Sequence, residues 1–213
     1  MLGSIATAAN RGRSGDSVTK HQQYVTLITC LSYEIARLKL KLAALMRIRT
    51  ESSRLKDDSA VPLFSTLAES LHVDVVLSLA KLFEKRDDTR ARSLLRLLGF
   101  VETHNKEIEW QHPVTVFDLR RHYALIEARR ADIQLVISQR DMYFEHRGQQ
   151  WTGRLQDIAI DLPITGEMLS SLLQVAEQIL KKHSSAIHGD ADDVADDLAT
   201  PHLDRMIAAF ADA

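Results

Sequence analysis

The chain has 213 residues, a formal net charge of −2 from 27 Lys+Arg against 29 Asp+Glu, and 45% hydrophobic residues. A chain of that size can bury roughly 70% of its unfolded surface, so one domain can form without disulfides or a structural metal. Cys30 is the single cysteine and cannot form an intrachain bridge, which points to a reducing, cytoplasmic location.

With 8 glycines and 4 prolines, turns are too few for an all-β or α/β chain, and helix is expected. No uncharged apolar run reaches the roughly 18 residues of a membrane span, since Val73 to Phe83 is broken by Asp74 and Lys81. Residues 1–17 contain Arg11 and Arg13 but no apolar stretch of the kind a secretory signal carries. They read as a disordered lead-in to a helical domain over residues 18–189.

From Thr19 to Ile48, apolar residues recur in steps of three and four (Tyr24, Ile28, Leu31, Ile35, Leu38, Leu42, Leu45), which predicts one long amphipathic helix. The polar stretch Arg49 to Ser59 ends the stripe, and a second helix is expected from about Pro62 through Phe64, Leu67, Leu71, Val75, Leu79 and Leu82. A third is bracketed by Asp88 as N-cap and Gly99 as the residue after its end, with Leu94, Leu95 and Leu98 inward. Val101 to Pro113 has no helical period and reads as a short hairpin or a loop. The fourth helix should be capped by Thr115, with Asp118 three residues on, and should run unbroken to Gly148. Its stripe is Leu119, Tyr123, Ile126, Arg130, Ile133, Ile137, Arg140 and Phe144. A fifth helix opens at Thr165, where Ile164 and Leu169 can form a hydrophobic staple, and leads to Gly189. Residues 190–213 hold seven Asp and one Arg and read as a solvated acidic tail with a possible short helix, His202 to Phe210.

Several kinds of chemistry are excluded by absence. There is no Gly-rich phosphate loop, no G-x-S-x-G elbow and no H-E-x-x-H. His183 and His188 are five residues apart, about 140° around a helix, which does not suit a shared metal. No metal ligand set and no cofactor motif is found.

The segment that carries chemistry is Arg140-Asp141-Met142-Tyr143-Phe144-Glu145-His146-Arg147. Arginine on an apolar stripe needs a partner, so Arg140 implies a buried ion pair, a subunit interface or an anion site. Histidine exchanges protons near neutral pH and arginine offers a planar fork to phosphate, so the two together can cleave a phosphodiester without metal. Six residues along an ideal helix rotate by about 240°, so Arg140 and His146 start on different faces and meet only if the helix loosens or a second subunit completes the site.

This spacing resembles the HEPN superfamily, whose pattern is an arginine, often followed by a polar residue, then a histidine after four to six residues near a helix end. The resemblance covers most of residues 20–189. It includes Leu77-Ser78-Leu79-Ala80-Lys81-Leu82-Phe83, the Ser93-Leu94-Leu95 helix and the motif helix with Tyr143 and Phe144, and is similar to the abortive-infection branch found in phage-defence and toxin–antitoxin loci. The resemblance implies a metal-independent endoribonuclease working as a homodimer, with an antitoxin as a possible partner. Arg140 would stabilise the phosphate, His146 would act as general base or acid, and Asp141 would orient one of them.

Seven arginines and no lysine fall between positions 119 and 154 (Arg120, Arg121, Arg129, Arg130, Arg140, Arg147, Arg154), against four acids. This reads either as an RNA-facing patch, with Arg130, Tyr143 and Arg147 as contacts, or as a solvated face with local pairs such as Arg130 with Glu127. The expectation is an all-α bundle of about five helices that cleaves RNA. The alternative is a non-catalytic helical dimer that binds nucleotides or a partner protein.

Overall fold

The computed structural model describes residues 18–52, 61–84, 92–145 and 163–189. Within them the chain forms six α-helices and no strand: α1 (Lys20–Ser52), α2 (Val61–Phe83), α3 (Leu94–His104), α4 (Val116–Glu127), α5 (Arg130–Glu145) and α6 (Gly166–His188). A 3₁₀ turn, Asn105–Glu107, follows α3. The all-α expectation holds. The acidic tail, the lead-in and the stretch from His146 to Leu162 lie outside the described residues.

The first helix starts where the Thr19 hydroxyl accepts from the Gln22 amide and the Gln22 side chain accepts from the Thr19 amide, a reciprocal cap that satisfies two otherwise orphaned donors. It continues past the predicted Ile48 to Ser52, because polar residues do not stop a helix whose inner face is already anchored. That face buries Tyr24, Leu31, Leu38 and Leu45 almost completely, and each such side chain contributes on the order of 2 kcal/mol relative to exposure. The stripe packs against α2 on one side and α6 on the other, while α2 also packs against α5.

By length and composition α2 is apolar enough to cross a membrane despite Asp74 and Lys81. Its C-terminal half, including Val75, Val76, Leu79, Ala80, Leu82 and Phe83, is buried in the core of the bundle.

Two boundaries differ from the sequence reading. α3 is capped by Ser93, whose hydroxyl accepts from the Arg96 amide at 3.3 Å, and Gly99 lies inside the helix rather than after it. A C′ glycine adopts positive φ, and among the described residues Gly189, after α6, is the glycine that does (φ 74°). Val101, buried at 0% exposure, carries the α3 inner face on past Gly99. The stretch after α3 forms no hairpin. Gln111 and His112 both donate their amides to the Ala186 carbonyl (3.0 and 3.1 Å), pinning the loop to the end of α6.

The expected fourth helix is also two helices. Thr115 and Asp118 form the anticipated reciprocal cap, but at Ala128 and Arg129 the chain turns, with the Arg129 amide donating to Ile126 instead of to residue 125. The buried face keeps its seven-residue spacing across the break, through Leu119, Ile126, Ile133 and Arg140. Buried residues are Leu119, His122 and Ile126 before it and Ile133, Val136, Gln139, Arg140 and Tyr143 after it, whereas Arg130 and Phe144, both placed on the predicted stripe, are exposed.

Candidate functional site

Arg140 projects from the inner face of α5 and is only 8% exposed. α5 packs against α2: Arg140 meets Glu84 just past the end of α2, and Gln139 bonds to His72 about three turns earlier in it.

Its guanidinium is held by two carboxylates. Nε and Nη2 donate to Asp141 Oδ1 at 2.9 and 2.6 Å, and Nη1 lies 2.7 Å from Glu84 Oε2. Burial works against the charge, but hydrogen bonds and attraction from Asp141 and Glu84 outweigh it and hold the group more firmly protonated than a free arginine. Of the three readings left open for an arginine at this position, the buried ion pair is the one it makes. Glu84 was not anticipated: it stands in no motif, and only the packing of α2 against α5 brings it near.

The other predicted site residues are dispersed. Asp141 is half exposed beside Arg140. Tyr143, expected to touch RNA, is 5% exposed in the core, and burial pushes its phenol up to about 12; its ring has no face to offer a base. Arg130 is a surface residue paired with Glu127 at 3.0 Å, the local pairing foreseen as the alternative to an RNA contact. Arg129 pairs with Asp132 at 3.5 Å. His146 and Arg147 lie outside the described residues.

Two further polar groups are built into the helix contacts. Near the C-terminal end of α5, the Arg49 Nη2 donates to His72 Nδ1 at 3.2 Å; burial first and Arg49 second depress the His72 pKa, leaving the ring neutral. At the opposite end of the bundle, the Tyr24 hydroxyl lies 2.6 Å from His183 Nδ1, and His183 Nε2 lies 3.2 Å from His122 Nδ1. Burial holds the Tyr24 phenol protonated, so it donates to Nδ1, and His183 in turn donates from Nε2 to His122. This chain joins α1, α6 and α4. Burial lowers both imidazoles, that of His183 to about 3. Sequence reasoning missed His122, although its place between Leu119 and Ile126 at helical spacing was the available signal. Among the described residues no cluster of His, Cys, Asp or Glu could hold a metal ion.

The scan against protein families matches the HEPN_AbiU2 model, described as AbiU2, over residues 22–204. No match is found among curated proteins or among solved structures. The match takes in all six helices and Arg140, and with the helical architecture it shows that the chain belongs to the AbiU2 family of abortive-infection HEPN proteins.

Proposed function

We propose that the chain is a metal-independent endoribonuclease of HEPN type, acting in the cytoplasm as a toxin or phage-defence effector and working as a homodimer. The observation that carries this reading is family membership together with the Arg140-Asp141 pair five residues before His146. RNA supplies its own nucleophile in the 2′-hydroxyl. A histidine that moves its proton contributes roughly 10²–10⁴-fold, and a guanidinium stabilises the charge that grows on the phosphate. An antitoxin protein is the natural partner of such an activity.

Incubation of the pure protein with mixed RNA in chelator should give fragments ending in 2′,3′-cyclic phosphate. His146→Ala should abolish cleavage with helical content unchanged, and Arg140→Lys should lose it because an ammonium cannot reproduce two parallel hydrogen bonds. Cleavage by His146→Ala at the wild-type rate, or only with added divalent metal, would overturn the assignment.

A second reading has its own observation. Because both Asp141 and Glu84 already occupy Arg140, the alternative of a non-catalytic dimer that keeps the fold and binds nucleotides or a protein is favoured if the chelator assay shows no fragments.

A further inference from the structure

We infer that Glu84 is an additional residue of the Arg140 site, a carboxylate that fixes the guanidinium at the α2–α5 junction and competes with phosphate for it. The inference rests on the reading that Arg140 is the phosphate-binding cation.

All three guanidinium nitrogens are engaged by carboxylates: Nε and Nη2 by Asp141, Nη1 by Glu84. With both acids ionised the trio carries a net charge of −1, which repels an incoming phosphodiester. The two acids are not equivalent. Asp141 is the neighbour of Arg140 in sequence, half exposed, and travels with it on α5, whereas Glu84 directly follows α2 and its side chain is mostly covered.

Glu84 also stands where a carboxylate is disfavoured. Its amide closes the last turn of α2 on the Ala80 carbonyl at 2.9 Å, so its charge faces the negative end of that helix dipole. Arg140 compensates for this placement. The same guanidinium therefore serves α2 and the candidate phosphate site. An anion that takes Nη1 must displace Glu84, which makes the α2 terminus the element that sets anion affinity.

The test uses a fluorescent 2′-O-methyl RNA hexamer, which presents phosphodiesters but has no nucleophile and cannot be cleaved. Anisotropy is measured on the full chain at low salt. Glu84→Gln keeps the shape and an acceptor oxygen while removing the charge, and should bind the hexamer about fivefold more tightly, the effect of one partly screened charge a few ångströms away. The gain should vanish in Glu84→Gln combined with Arg140→Ala. Glu84→Asp, which retains the charge but withdraws it by one methylene, should give a smaller gain and guards against a Gln variant that does not fold. Unchanged or weaker binding by a folded Glu84→Gln, or by Glu84→Asp where the Gln variant is unfolded, would make Glu84 a structural clamp only and overturn the inference. The readout is independent of cleavage: tighter binding without RNA fragments would sink the ribonuclease reading and leave the role of Glu84 standing.

Discussion

His183 has no exposed surface, and its two ring nitrogens are spent on Tyr24 and His122, so a proton can be added only by reversing or breaking one of those bonds. That has a thermodynamic consequence. The folded-state pKa of about 3 lies below the unfolded value near 6.5, so the unfolded chain takes up the proton first as pH falls. The stabilisation from a neutral His183 is complete above pH 6.5 and is lost progressively between there and about 3, at about 1.4 kcal/mol per pH unit. His122, also depressed, adds in the same direction. Urea unfolding at pH 7.5 and pH 5.0 should differ by about 2 kcal/mol on account of His183 alone, and His183→Leu should show a correspondingly smaller difference. An equal pH dependence in the variant would mean that carboxylates carry it. Tyr24→Phe should cost about 1–3 kcal/mol at neutral pH, since it leaves a buried Nδ1 without its donor. Tyr24 was legible as a core residue from the α1 stripe; that it also holds a histidine was not, because the bond spans 159 residues of sequence.

Among the elements, the helices with a strong local signal were read closely. Thr115-Val116-Phe117-Asp118 states its own start in four residues, and Thr165 with Ile164 and Leu169 does the same for α6. Where a boundary depends on distant packing, the sequence misleads. Gly99 offered a plausible stop for α3, but the residues beyond it have a core to enter. The steps of three and four from Leu119 to Phe144 fit one continuous helix, yet the turn at Ala128 and Arg129 contains neither glycine nor proline and leaves no composition signal. Arg130 is exposed beside this turn, and the inner face of α5 takes in Tyr143 where the stripe had placed Phe144, so the predicted RNA contacts are dispersed. The α3 boundary is open to a test with opposite signs. An added Cβ at Gly99 meets nothing within 4 Å and the site is helical, so Gly99→Ala should stabilise by about 0.5–1 kcal/mol, whereas at a positive-φ position the same change would destabilise. Ser93→Ala should cost about 1 kcal/mol through loss of the cap. Both are read from the urea midpoint at constant slope.

For the whole molecule, the fold class was legible because composition and periodicity act in the same direction over most of the chain, and the family resemblance because its motif is local. The paired state of Arg140 was not, since it needs the end of α2, more than fifty residues away. It also removes one ground for a dimer: the stripe arginines do not leave a mixed face seeking a partner, as one is on the surface with Glu127 and the other is internally compensated. Charge distribution along the chain remains unabsorbed by the fold. Residues 190–213 carry seven Asp against one Arg, so the first 189 residues hold a net charge of +4 within a chain of −2. If RNA is the ligand proposed above, an acidic segment tethered to a basic body would compete with it at a high effective concentration. Replacing Asp190, Asp192, Asp193, Asp196 and Asp197 by Asn keeps the length while removing five charges, and should raise affinity for the same uncleavable hexamer. The gain should be largest at 10 to 20 mM salt and shrink toward 0.15 M, where the screening length falls to roughly 8 Å. Equal affinity of the two proteins at low salt would show that the arginines of α4, α5 and the turn between them, of which Arg129, Arg130 and Arg140 are already paired with nearby carboxylates, do not form the surface RNA meets.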